Sequence, residues 1–170
     1  MGDFAQPEAP NSSWPRYSKM EFPAYRFVPG RSPHPRRDPN GHSFGVPEPK
    51  PPPPDPAKWK ENDLYLHGID LYNFAFWWEC HEALEALWHA AGHTTPTGQF
   101  LQGVIQVSAA NLKRYMGLEE TAKKMALEGL KRHDGLPVFY MGVNLQRFAR
   151  DARDNHEGRF ARPALIRLEM

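Results

Sequence analysis

From Trp59 onward, apolar positions recur at the spacing of helices that bury one face. "KWKENDLYLHGIDLYNFA" places Leu64, Leu66, Ile69 and Leu71 on a first helix and ends in a turn at "NFA". "FWWECHEALEALWHAAG" reads as a second helix stopped by Gly92, a natural residue just past a helix end. "QFLQGVIQVSAANLKRYMG" is a third helix ending at Gly117. "LEETAKKMALEGLKRH" is a fourth, with Glu119 and Glu120 in its first turn and Lys131 and Arg132 in its last, which suits the helix dipole. "VNLQRFARDARD" is a fifth, amphipathic through Leu145, Phe148, Ala149 and Ala152, and "RPALIRLE" follows as an extended tail. No strand series appears, so the predicted fold is all-α, a bundle of about five helices.

Proline divides the chain. Fifteen of its eighteen prolines precede Ala57, ending in "PEPKPPPPDP". Proline fixes φ and removes a backbone donor, so this arm forms neither helix nor central strand and favours extended polyproline backbone. Yet "WPRYSKMEFPAYRFVPG" carries Trp14, Tyr17, Phe22, Tyr25 and Phe27, whereas disordered segments are poor in aromatics. We expect an arm over residues 1–57 that wraps a helical domain at 58–156, with an extended tail over 157–170.

The second helix carries unusual chemistry for an apolar segment. On a helical wheel Trp77, His81, Leu84 and Trp88 form one stripe; Glu85 lies beside it, Glu82 on its shoulder and Glu79 opposite. This predicts that His81 points inward. A buried histidine or carboxylate needs hydrogen-bond partners. On the third helix Gln102 and Gln106 share a face, with Gly103 between them to admit a neighbouring helix. The expected cluster is therefore Glu79, His81, Glu82, Glu85, Trp88, Gln102 and Gln106, with Asp70 able to join.

At these residues the chain resembles the domain of unknown function 309 family, whose pattern is an E-x-H-E-x-x-E-x-x-W helix followed by an F-L-Q-G-x-I-Q helix. Glu79, His81, Glu82, Glu85 and Trp88 match the first part, and Phe100, Leu101, Gln102, Gly103, Ile105 and Gln106 the second. The family turn usually has glycine where Ala75 stands. The resemblance covers roughly residues 59 to 150. It implies a small helical domain and no particular activity.

Three chemistries fit the cluster. His81 and Glu85, at i and i+4, could ligate a divalent metal, with His42 or His34 of the arm adding to them. "HEALE" lacks the second histidine of H-E-x-x-H, and a carboxylate-rich set favours iron or manganese over structural zinc. A His–Glu pair could instead serve as acid and base, although no nucleophile accompanies it. A satisfied His–Glu–Gln network could simply fix helix register or line a ligand pocket. The reading taken is a non-enzymatic binding or scaffold module; the alternative is a small metal-dependent hydrolase using the same residues.

The arm adds two further motifs. "GHSFG" matches G-x-S-x-G, but its flanks supply neither the strand nor the helix of a nucleophile elbow, so it reads as a turn. Arg36, Arg37 and His42, with Arg31 and His34 nearby, form a candidate anion site.

Charge and composition narrow the setting. The net charge of +1 demands neither nucleic acid nor an anionic membrane. Arg147, Arg150 and Arg153 make only a short basic stripe, weaker than nucleic-acid binding normally requires. No apolar run approaches the roughly 20 residues that span a bilayer. The N-terminus shows no secretory signal, and the single cysteine, Cys80, suits a reducing compartment, so a cytoplasmic setting is expected. Tryptophans beyond the core stripe, Trp78 above all, suggest a homodimer.

Overall fold

A computed structural model describes residues 4–169. A 3-10 turn at Pro56–Glu61 leads into α1 (Asp63–Asn73), α2 (Trp77–Ala91), α3 (Pro96–Tyr115) and α4 (Glu119–Lys131). A two-residue turn at Met141 and Gly142, both at positive φ, joins the antiparallel pair β1 (Phe139–Tyr140) and β2 (Val143–Asn144). Helix α5 (Leu145–His156) follows. The protein is thus helical, as the periodicity predicts. The small hairpin is the addition, in a segment too short to show alternation.

Local chemistry sets the helix starts. Asn62 caps α1 by accepting from Tyr65 N–H, and Thr95 caps α3 by accepting from Gly98 N–H. Asn144 caps α5 by accepting from Arg147 N–H. Helix α3 is the central element, packed on α2 along one side and α4 along the other. It meets α4 at Gly103 and Gly129. A Cβ on Gly103 would stand 2.8 Å from the Gly129 carbonyl oxygen and would also strike His133, so only glycine permits this approach.

The arm lies on α1 and α2 and is held by two buried carboxylates. Asp70, fully buried, accepts from Arg16 Nε at 2.9 Å, from Tyr17 N–H at 2.8 Å and from Ser18 N–H at 2.9 Å. Asp70 therefore serves the arm and does not join a cluster on α2. Glu79 does the corresponding work for the arm's later half. Around these anchors Phe22 stacks on Phe76 with ring centroids 4.7 Å apart, and the Arg16 guanidinium lies 3.9 Å from the Phe22 ring centre.

Beyond α5 the tail runs extended, burying Ala164, Ile166 and Leu168 in alternation. Trp14 Nε1 donates to the Ile166 carbonyl at 3.0 Å, and Leu168 N–H donates to Tyr17 Oη at 3.0 Å. Arm and tail thus meet over α1. Among the described residues no helix is long and apolar enough to cross a membrane.

Candidate functional site

The phase of α2 determines which of its polar residues share a site. The side facing the core is Trp77, Cys80, Leu84 and Leu87, at i, i+3, i+7 and i+10. This is one step round from the predicted stripe. Turning Cys80 and Leu87 inward gives the core two apolar side chains and spares the His81 imidazole from desolvation. His81 and Glu85 are accordingly 38 % and 37 % exposed, so the expected buried His–Glu–Gln cluster does not form. His81 Nε2 lies 3.6 Å from Glu85 Oε2, and His89 Nε2 lies 3.5 Å from Glu85 Oε1 on the other side.

Gln102 and Gln106 are half-buried, and Gln106 faces α4, where its Cβ abuts Gly129 and its Oε1 accepts from Arg132 Nε at 3.4 Å. The helix that Gly103 admits is therefore α4. Trp88 is half-buried, with its ring stacked 3.8 Å from that of His93. Trp78 packs edge-on against Phe27 and His34, so the arm covers the ring whose exposure suggested a second subunit.

A different set of residues does converge. Between the arm and the α1–α2 pair lies a groove of about 830 Å³. Leu64, His67 and Leu71 of α1 and Ala83, Ala86 and Ala90 of α2 line it, as do Glu79, Glu82, Glu85 and His89 of α2. The arm contributes Met20, Pro23, Arg36, His42, Ser43 and the run from Val46 to Pro51. Five predicted site residues thus share the groove, Glu79, Glu82 and Glu85 of the expected cluster and Arg36 and His42 of the expected anion site, whereas His81, Trp88, Gln102 and Gln106 lie outside its lining.

Glu79, expected on the far side of α2, is only 5 % exposed because the arm covers that side. Its Oε1 accepts from Phe27 N–H at 2.8 Å and lies 2.8 Å from His42 Nε2. The His42 side chain is 3 % exposed, and its Nδ1 lies 2.8 Å from Ser43 Oγ. Gly41 lets the loop close over this pair, since a Cβ there would overlap the His34 and Pro35 carbonyls. The loop is a series of turns in which Ser43 N–H donates to Pro35 O at 3.0 Å and Val46 N–H to Ser43 O at 3.1 Å.

These contacts also answer the expected anion site. Arg36 pairs with Glu82 through Nε and donates from Nη1 to the Val46 carbonyl at 2.6 Å. Its charge is balanced within the protein. Arg37 is exposed, and His42 is occupied by Glu79 and Ser43. The three side chains therefore do not present a joint anion-binding surface.

Two buried polar atoms on the groove's lining residues have no partner: Glu79 Oε2 and His67 Nδ1. Burial lowers the pKa of His67, with Arg16 adding to the effect against the opposing pull of Asp70, so its imidazole is neutral at pH 7. Cys80 is a poor candidate for chemistry. It is fully buried, and burial pushes its thiol up to about 12. Among the described residues no group of three or more His, Cys, Asp or Glu side chains is arranged to hold a metal ion.

As site residues, sequence reasoning missed His67, which is buried, and Leu64, which packs against the core at the groove, and it separated His42 from Glu79. The available signal was the pairing of "GHS" in an aromatic-rich arm with a glutamate on the helix that the arm covers. No curated protein matches the chain. Residues 65–125, from α1 into α4, match the model described as Domain of unknown function (DUF309). The match includes Glu79, Glu82 and Glu85 and leaves out the arm that forms the groove's other wall. Over that segment the chain is similar to the domain of unknown function 309 family, in agreement with the paired motifs on α2 and α3.

Proposed function

We propose that the protein is a ligand-binding module whose site is the groove between the arm and helices α1 and α2. The observation that carries this reading is the pair of unpartnered buried atoms, Glu79 Oε2 and His67 Nδ1, on residues of the groove lining. Leaving a buried polar group unpaired costs roughly 1–3 kcal/mol, so the protein's own contacts do not satisfy these two lining residues. The lining is also acidic, since Glu48, Glu79, Glu82 and Glu85 outnumber Arg36 and Lys50. Its floor of leucine and alanine side chains accepts an apolar body. The fitting ligand is a small amphiphilic cation, an ammonium or guanidinium group on a hydrocarbon chain.

The metal-dependent hydrolase alternative is less well supported. His81 lies outside the groove, and its contact with Glu85 runs along the surface of one helix. A buried inert thiol and the absence of a long apolar helix among the described residues agree with action in a reducing aqueous compartment.

An n-alkylammonium series from butyl to octyl, titrated into labelled protein and followed by NMR, tests this reading. Saturable shifts at Leu64, Ala83 and Ala86 that tighten with chain length are expected. Ala86→Trp, which fills the groove, and Glu85→Gln should each weaken binding at least tenfold. Shifts scattered over the surface, or binding unchanged in Ala86→Trp, would rule the groove out.

A further inference from the structure

The buried His42–Glu79 pair does more than tie the arm to α2. A carboxylate oxygen only accepts hydrogen bonds, and Glu79 Oε1 already accepts Phe27 N–H. Its second partner, His42 Nε2, therefore carries the imidazole proton. That choice leaves a lone pair on Nδ1, and the group facing Nδ1 is the Ser43 hydroxyl, 2.8 Å away. The hydroxyl proton points at a base whose tautomer a buried carboxylate fixes. Serine, histidine and carboxylate with these roles form the relay that activates serine nucleophiles on unrelated folds. Here the usual nitrogens are exchanged, and the relay sits in a loop without a strand–serine–helix elbow. Ser43 and His42 both line the groove.

The geometry points to Ser43 as a nucleophile toward small carboxylic esters seated in the groove. Ser43 Oγ attacks the ester carbonyl, and its proton passes to His42 Nδ1. The Oγ–acyl bond forms, the bond to the alcohol oxygen breaks, and the imidazole returns the proton to the departing alkoxide. Water then hydrolyses the acyl-serine, releasing the acid and restoring Ser43. Ser43 is the catalytic nucleophile, His42 the base, and Glu79 a positioning residue. The inference rests on the groove reading for access, and the apolar floor together with the acidic lining favours esters that carry a cationic group.

Diisopropyl fluorophosphate tests the relay without a known substrate. Oγ forms a bond to phosphorus, fluoride leaves, and the proton goes to His42. Peptide mass spectrometry of the treated full chain should show one adduct, at Ser43, absent in Ser43→Ala. Glu79→Gln keeps an acceptor for Phe27 N–H and His42 Nε2, so it should fold. Its labelling rate should fall at least tenfold, and that of His42→Gln about a hundredfold, the usual span for a general base. No adduct at Ser43 in the folded protein, or equal rates in wild type and His42→Gln, would overturn the relay. Alkylammonium binding without labelling would defeat the relay alone; labelling without alkylammonium binding would defeat only the ligand class assigned to the groove.

Discussion

Asn73 pairs with Ile166 through both ends of its amide. Nδ2 donates to the Ile166 carbonyl at 2.8 Å, and Ile166 N–H donates to Oδ1 at 2.7 Å. A side chain on α1 thus imitates a neighbouring strand for the C-terminal tail. Asn73→Asp keeps the acceptor and turns the donor into a second acceptor facing a carbonyl. We expect a loss of about 1–3 kcal/mol, with faster amide exchange at Ile166 and Leu168 than in the helices. Urea denaturation and hydrogen exchange measure the two.

Asp70 holds the first half of the arm by three hydrogen bonds to its carboxylate, one of them an ion pair with Arg16. Removing it leaves Arg16 Nε and two backbone N–H groups without their acceptor. Asp70→Ala should cost about 3–5 kcal/mol, and Asp70→Asn less, since one oxygen remains to accept. Limited proteolysis should cut the alanine variant first in the arm, near Arg16 and Lys19. Cutting that begins between the helices would contradict this role.

Gly103 and Gly129 set the distance between α3 and α4. Gly103→Ala forces its new methyl against the Gly129 carbonyl and the His133 ring. A loss of about 1–3 kcal/mol is expected from overpacking. Gln106→Ala, one turn further along α3 and half-exposed, should cost much less, and the denaturation midpoints of the two variants test the contrast.

Three buried histidines make stability depend on pH. His67, His133 and His156 all have pKa values lowered by burial, and the Arg114 charge helps to bring His156 to about 4. His133 Nε2 donates to the Phe100 carbonyl and His156 Nε2 donates to Asn111 Oδ1, leaving each Nδ1 buried and unpartnered. Protonation would put a charge there with nothing to receive its proton. Because the folded pKa lies below the unfolded value of 6.5, the unfolded chain binds more protons in between. Stability is fully present above about pH 6.5 and is lost as pH falls toward 4. His156→Gln, which keeps a donor for Asn111, should narrow the gap between denaturation midpoints at pH 7 and pH 4.5. An unchanged gap would show that His156 contributes none of it.

The helices were legible because their apolar periodicity survives packing. The tail was legible too, since "ALIRLE" alternates and Ala164, Ile166 and Leu168 are its buried positions. The site was only partly so. A helical wheel assigns Glu79 to the outside because it sees one helix, whereas a segment remote in sequence covers that side. His81 was misplaced for the opposite reason: a core shared with both α1 and α3 selects its own phase, and Leu87 outweighed an imidazole. Ala75 stands where the family usually has glycine and adopts a φ of 66°, a left-handed conformation that glycine would ease.

The contact between Trp14 and Ile166 closes a loop across most of the chain. Its entropy cost grows only with the logarithm of that length, so the finished fold tolerates it easily. The order of events during synthesis is another matter. The arm leaves the ribosome before α1, α2 or the tail exists to receive it, with Trp14, Tyr17, Phe22 and Phe27 waiting for partners on those elements. Its prolines keep those rings from collecting in a premature helix or sheet. The proline-rich arm is thus suited to delay as well as to docking: an adhesive strip held extended until the surface it seals has been made.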